Sequence, residues 1–207
     1  MGDPVQKFDP KRAYRELYAP RTEFELVDVP EFLYLAVDGH GDPNIAPAYA
    51  DALEALYPVA FAIKFASKRA GRDFVVGPLE GLWRADDETA FTGRRKDEWS
   101  WTMLLVQPEW ITAADVADAV ATVHAKKRLP SLELVHPTRH AEGRCVQILH
   151  NGPYDDEAPT LARLHGEFMP ELGLAFNGDH HEIYLTDARR TEPEKLRTVL
   201  RQPVRPA

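Results

Sequence analysis

The chain has a single cysteine, Cys145, in 207 residues. That excludes an internal disulfide and a thiolate zinc cage, and it suits a reducing compartment. No apolar run approaches the roughly 18 residues that would cross a membrane. The opening Met-Gly-Asp-Pro-Val-Gln-Lys also lacks the hydrophobic stretch of a secretory signal. Cytoplasm is therefore the expected location, with no membrane partner. Basic charge is in short supply: 25 Lys and Arg stand against 33 Asp and Glu, a formal net charge of −8. Such a balance repels phosphate backbones and argues against nucleic acid as a partner. There is no Gly-x-Ser-x-Gly elbow, no Gly-x-x-x-x-Gly-Lys phosphate loop and no dinucleotide fingerprint, so no cofactor is expected. His150 and the His180-His181 pair match no zinc or non-haem iron spacing, and no metal is expected. The short basic runs Arg94-Arg95-Lys96 and Lys126-Lys127-Arg128 are flanked by acids and read as solvated surface.

What is present is an ordinary apolar fraction, 44%, enough for a packed core in a single domain over 1–207. Asp9-Pro10 predicts a capped N-terminal helix over 10–18. Phe24 to Val29 and Phe32 to Val37 predict strands, the second ended by the glycine turn at Gly39-His40-Gly41. Tyr49, Leu53, Leu56, Tyr57, Ala60 and Ile63 follow helical spacing, with Pro58 expected to kink or split the helix. Phe74 to Val76, Leu79 to Trp83 and Trp99 to Val106 read as strands, with a charged loop from Ala85 to Glu98. Thr112 with Asp115 makes a capping box for a helix to about Arg128.

After a proline-flanked segment from Pro130 to Pro137 the pattern starts again. Arg144 to Leu149 reads as a strand, and Leu161, Leu164, Phe168 and Leu172 form one face of a helix ended by Gly173. His181 to Leu185 and Leu196 to Leu200 supply two more strands. Two halves, about 23–128 and 131–207, thus share an order of strand, glycine turn, helix, strand, strand. Gly41 matches Gly152, Glu80 matches Glu182, and the strand from Thr102 matches that from Thr198. Chance recurrence of common strand and turn residues fits the same pattern. If the repeat is real, two units pack about a pseudo-twofold axis, with Glu80 and Glu182 on opposite walls of one cleft.

Glu182 falls mid-strand between apolar neighbours and, at a period of two, shares a face with Tyr184. A carboxylate buried there must be paired, hydrogen-bonded or protonated, which suits it to attract a cation or to act as a general base. A solvated edge-strand glutamate fits the same residues equally well. Glu80, beside Gly81, is either a second working carboxylate or a structural acceptor. Trp83, Trp101, Tyr57 and Tyr184, with Met103, Phe168 and His150, are candidate ligand-binding residues. Rings of this kind stack on flat or cationic molecules, and they also build ordinary cores.

Several segments carry a family resemblance that covers Asp9 to Val204. They are Gly39-His40-Gly41-Asp42-Pro43-Asn44, Leu56-Tyr57-Pro58-Val59, Pro78-Leu79-Glu80-Gly81-Leu82-Trp83, Glu98-Trp99-Ser100-Trp101-Thr102-Met103, His150-Asn151-Gly152-Pro153-Tyr154 and His180-His181-Glu182-Ile183-Tyr184-Leu185. The chain resembles the GyrI-like small-molecule-binding proteins. The resemblance implies an α+β fold of duplicated strand-helix-strand-strand units with antiparallel sheets, as in the effector-binding domains of BmrR-type regulators. It implies that the glutamate matching Glu182 meets cationic or polar ligand groups among aromatic rings, in drug or toxin resistance. Some stand-alone relatives look like hydrolases that open the cyclopropane of DNA-alkylating natural products, with Glu182 or Glu80 as the catalytic carboxylate. Too few residues precede Phe24 for a DNA-binding winged helix, so the chain is expected to act alone. The partner expected is an aromatic or amphipathic small molecule, bound by a monomer or weak homodimer.

Overall fold

The computed structural model describes residues 7–87 and 95–207, and the structural statements below concern those residues. Arg94 and much of the charged 85–98 loop lie outside them. Two short helices, α1 (Pro10–Ala13) and α2 (Arg15–Tyr18), lead into β1 (Glu25–Val29) and β2 (Phe32–His40). The first run continues with α3 (Pro47–Arg69), β3 (Leu79–Arg84), β4 (Ser100–Gln107) and α4 (Ala113–His124). The second contains β5 (His136–His140), β6 (Gly143–Asn151), α5 (Ala158–Arg163), a π turn (Leu164–Phe168) and α6 (Met169–Glu171). It ends with β7 (Leu174–Phe176), β8 (His180–Tyr184) and β9 (Arg197–Pro206).

All strand pairings are antiparallel, in the order β1-β6-β9-β8-β3-β4-β2-β5, with β7 added to β9. The order reads the same from either end: β3-β4-β2 on one side of the centre mirrors β8-β9-β6 on the other. Each half sends its first strand across to the other, β1 onto β6 and β5 onto β2. The fold is thus α+β and duplicated, with a pseudo-twofold axis between β3 and β8.

Register makes the symmetry specific to the residue. Taking Gly41 and Gly152 as counterparts, Ala36 corresponds to Gln147. Their cross-strand partners His136 and Glu25 then correspond as well. The same step through β4 and β9 makes Met103 the counterpart of Leu200, Gly81 of Glu182, and Glu80 of His181. The expected equivalence of Glu80 with Glu182 is off by one residue. Because strand side chains alternate between faces, a one-residue slip puts a side chain on the other side of the sheet. Glu80 and Glu182 lie on opposite faces, not on opposite walls of one cleft.

Local chemistry accounts for the element ends. The Asp9 carboxylate accepts from Lys11 N at 3.0 Å, and Pro10 opens α1. The helix breaks at Tyr14, which leaves the helical region at φ −126, ψ 54. Thr112 and Asp115 close a reciprocal capping box on α4. Helix α3 runs through Pro58 without being split. Buried Ala55, Leu56, Val59 and Ile63 hold it to the sheet on both sides of the proline, which outweighs one lost hydrogen bond. Phe74 to Val76 is not a strand and makes only a single bridge to Phe8. The proline-flanked segment hides the start of β5, which propensity alone does not reveal because its cross-strand partner comes from the other half.

The sheet has two unlike faces. On one, Leu35, Val37, Trp101, Met103 and Leu105 pack beneath α3 and α4, and the α5–α6 segment covers Val146 and Val204 further along. On the other, Tyr34, Ala36, Leu82, Leu104, Ile183 and Val199 are covered by Leu17 and Tyr18 of α2. Strands β3 and β8 lie at the centre of the sheet, between the strands that α3 and the α5–α6 segment cover on the first face.

Candidate functional site

On the α2 face, strand alternation buries Glu80, His181 and Arg201, and the connection between β5 and β6 adds Glu142, so four ionisable side chains are buried together. Glu80 and His181 are 0% exposed, and Arg201 and Glu142 are nearly so. Glu80 accepts from the Tyr18 hydroxyl at 2.6 Å and lies 3.1 Å from His181 Nε2. His181 Nδ1 is 3.0 Å from Glu142, and Arg201 reaches the same carboxylate at 3.1 Å. Arg201 also donates to Gln147 Oε1 and to the Leu17 carbonyl, while Gln147 donates to the Glu16 carbonyl, so the network pins the end of α2. Burial opposes charge on both His181 and Glu142. For His181 it is outweighed by Glu142 and Glu80, which push the imidazole up to about 9. For Glu142 it is outweighed by His181 and Arg201, which hold the carboxyl down at about 2. Two carboxylates facing an imidazolium and a guanidinium sum to zero, which is how a buried set of charges is tolerated.

On the helix-covered face, Glu182 has no such company. Its carboxylate accepts from the Tyr184 hydroxyl at 2.6 Å, and that hydroxyl accepts from Trp83 Nε1 at 3.1 Å. Trp83 and Tyr184 are counterparts across the axis, so the chain of bonds crosses the join between the halves. Gly81 permits it: a Cβ there would fall 2.6 Å from Met103 Cε and 3.0 Å from Trp83 Nε1. His180 is 3.7 Å from Glu182, but burial, with the charges of His165 and His181, holds its imidazole neutral, at about 3. Burial raises the Glu182 carboxyl, partly offset by the Tyr184 bond and by His181 and Lys96. Its side chain keeps 16% of its surface exposed.

Rings surround this carboxylate. Tyr49 of α3 stacks toward Trp83 at 6.3 Å and meets Trp101 edge-on at 5.2 Å. Trp99 lies edge-on to Trp83, and Tyr154 to Tyr184 at 5.6 Å. Lys96 sits over the Trp99 ring and 3.8 Å from Asp155. A model of the GyrI-like small molecule binding domain matches residues 22–205.

The chain belongs to the GyrI-like family.

An uncharacterised conserved protein from Listeria innocua is 38% identical, with 96% of this chain and all of that one covered and a TM-score of 0.89. A hydrolase from Listeria innocua is also 38% identical over 96% of this chain and all of that one, at a TM-score of 0.84. The C-terminal domain of EcmrR shares the fold at 11% identity, covering 89% of this chain and 98% of that one, with a TM-score of 0.59. No curated protein matches the chain. Among the described residues of this GyrI-like protein no helix is long and apolar enough to cross a membrane.

Of the residues predicted from sequence, Glu182, Tyr184 and Trp83 meet. Trp101 and Met103 lie beneath them at 0% exposure: Trp101 covers Gly39 and donates to the Gly41 carbonyl, and Met103 fills the space at Gly81. Both support the site from the core without lining it. His150 shares the site's face but braces its own turn, 3.1 Å from the Pro153 carbonyl. Tyr57 sits with Arg189 over its ring at 6.0 Å, a rim position. Phe168 packs with Phe24 at 5.0 Å in a separate apolar cluster. Glu80 lies on the other face.

Sequence reasoning missed Glu157. It is 5% exposed, with Oε1 unpartnered, and its electrostatic neighbours are Glu182, Thr198, Asp155 and Lys96. Tyr49 and Tyr154 were also passed over. The signal for Glu157 was an acid just before an apolar helix, indistinguishable in a sequence from a solvent-facing helix start. Two open clefts of about 500 Å³ lie elsewhere. One is lined by Lys11, Arg12, Arg15 and Arg197 beside α1 and α2, and the other lies between α4 and β5. Glu182 lines neither of them.

Proposed function

We propose that this protein binds aromatic, cationic or amphipathic small molecules in a crevice over β3 and β8, with the halves 23–128 and 131–207 as its walls, and serves in drug or toxin resistance. The observation that carries this is Glu182, a carboxylate among rings with no charged cation in hydrogen-bonding reach among the described residues. A ligand cation supplies what His181 and Arg201 supply to Glu80 on the other face. Trp83, Trp99 and Tyr49 stack on its flat body, and Tyr184 fixes the carboxylate. Tyr154, 40% exposed on the turn after Gly152, is the ring best placed to swing aside and admit it. Fluorescence anisotropy with rhodamine 6G tests the idea: Glu182→Gln should weaken binding tenfold or more. Equal affinity in the variant would sink the carboxylate's role.

A second reading is hydrolysis of a cyclopropanoid electrophile, favoured by the 38% identity to a Listeria innocua hydrolase. Here Glu182, its carboxyl raised by burial, is the base. It takes a proton from water as the water oxygen bonds to a cyclopropane carbon. The electron pair of the broken carbon–carbon bond passes through the conjugated ring to the carbonyl oxygen, which then receives a proton. Glu80, enclosed on the opposite face, reaches no substrate in this scheme. Incubation with a spirocyclohexadienone cyclopropane, followed by mass spectrometry, should show uptake of one water, abolished in Glu182→Gln. Unchanged starting material across pH 5 to 9 would retire this reading.

A further inference from the structure

The crevice holds a second carboxyl group whose role no likeness assigns. Glu157 begins α5, yet its side chain makes no hydrogen bond to the helix's free N–H groups. It turns inward, where Oε1 is buried with no hydrogen-bond partner. The Thr198 hydroxyl, its neighbour on β9, is likewise buried and unpartnered. Thr198 pairs with Tyr184 on one side and His150 on the other, so Glu157 lies over the row of residues that carries Tyr184 and is two residues from Glu182. The Tyr154 ring, three residues earlier, packs on Tyr184. Facing the two acids are Lys96 and Asp155, Tyr49 from α3, Tyr154, Tyr184, and His181 beneath Glu182. Lys96 is the one ordinary base in that set, and Asp155 already pairs with it.

Two acids in a poorly solvated crevice, where Lys96 is the one lysine or arginine named beside them among the described residues and is already paired with Asp155, do not both ionise, because each charge raises the cost of the other. The hydrogen bonds decide which gives way. Glu182 accepts from Tyr184, whose proton is committed to it because Trp83 donates to the hydroxyl oxygen from behind. Glu157 has a bare oxygen beside a hydroxyl that can accept. We propose that at neutral pH the site carries one proton shared by this pair and resident on Glu157, which makes Glu157 its neutral hydrogen-bond donor and Glu182 its single negative charge. Burial first, and the charge of Glu182 second, raise the Glu157 carboxyl in accord with this, and they outweigh the Thr198 hydroxyl, which acts to lower it.

The consequence deepens the binding reading and takes its functional meaning from it. The crevice is then matched to a ligand with two features: a monocationic or electron-poor body against Glu182, and a hydrogen-bond acceptor such as a carbonyl oxygen against Glu157. A dication gains no second charge partner. In the hydrolytic reading, Glu157 is the acid that delivers the proton to the carbonyl oxygen, and Glu182 the base that takes one from water, so the pair ends each turnover with its proton transferred from one acid to the other.

The test needs no ligand, so it can fail independently of binding. Infrared difference spectra of wild type at pH 7 should show the C=O stretch of a protonated, buried carboxylic acid. That band should vanish in Glu157→Gln and remain in Glu182→Gln. In Glu182→Gln its titration should also move to lower pH, since removing a neighbouring negative charge eases ionisation of Glu157. The wild-type band alone, followed from pH 6 to 9, gives a reading that does not depend on how well a variant folds: it should persist above pH 7. Absence of the band at pH 7, or its loss in Glu182→Gln with retention in Glu157→Gln, overturns the assignment.

Discussion

Glu80 and Glu182 are both glutamates in the central strand pair, and each has a tyrosine hydroxyl at 2.6 Å. The sheet sends them to opposite faces, and their surroundings diverge from there. Glu80 faces a histidine made cationic by two carboxylates, with Arg201 one step further along the network. Glu182 faces a histidine kept neutral. Burial is common to both, so burial does not make a site. What separates a structural acid from a poised one is whether the fold has already placed a cation opposite it. The pseudo-twofold axis sharpens the point: His181 is the counterpart of Glu80, so the symmetric position supplies its counter-ion, whereas the counterpart of Glu182 is Gly81, which supplies only space.

The comparison breaks most visibly at Arg201. Arg201→Met leaves Glu142 facing His181 alone and strips donors from Gln147 and the Leu17 carbonyl. Removing one partner of a buried ion pair costs about 3–5 kcal/mol, which urea denaturation should show as a lower midpoint at unchanged slope. A loss under about 1 kcal/mol would mean that the network is not what anchors α2.

The next effect is a pH dependence with two limbs. His181 binds its proton more tightly folded, at about 9, than at its ordinary 6.5. Its contribution is complete below pH 6.5 and is lost as pH rises through 9. Glu142, held at about 2 against 4.5, contributes fully above pH 4.5 and loses its contribution as pH falls through 2. The contribution of this pair is therefore flat between pH 4.5 and 6.5, and in thermal melts compared with wild type His181→Gln should flatten the alkaline limb. An alkaline limb identical in the variant would assign that limb to other groups.

How far the sequence reveals this difference depends on which interactions are local. The caps at Asp9 and Thr112, the α3 stripe from Tyr49 to Ile63, and the alternation that puts Tyr184 with Glu182 are set by neighbours in the chain. The glycine turns at Gly41 and Gly152 likewise make the duplication visible. The register between β3 and β8 is not local. It is fixed by packing over 100 residues of separation, and an offset wrong by one moved Glu80 from a shared cleft to the opposite face. For the same reason Glu157 could not be placed, since nothing near it in the chain announces that the α5 segment folds over β6 and β9. Trp101 and Met103 show the converse limit: their shared face was legible, but whether a ring lines a crevice or underlies it depends on what Tyr49 and Gly39 place above and below.

The finest test of the contrast is a substitution that should do almost nothing, or slightly help. A carboxyl raised by burial binds its proton more tightly folded than unfolded, so it favours the fold at low pH, and that benefit disappears as pH rises from 4.5 through the folded value. Above neutrality an ionised Glu182 is a cost, whereas an amide keeps the bond from Tyr184 without the charge. Glu182→Gln should leave stability unchanged near pH 5 and raise it by up to about 1 kcal/mol near pH 8. The equivalent change on the other face, Glu80→Gln, should destabilise at both, because it removes a charge that His181 needs. If Glu182→Gln instead lowers the melting temperature at pH 8 as Glu80→Gln does, then Glu182 is as well partnered as Glu80, and the crevice offers a ligand no unmet charge.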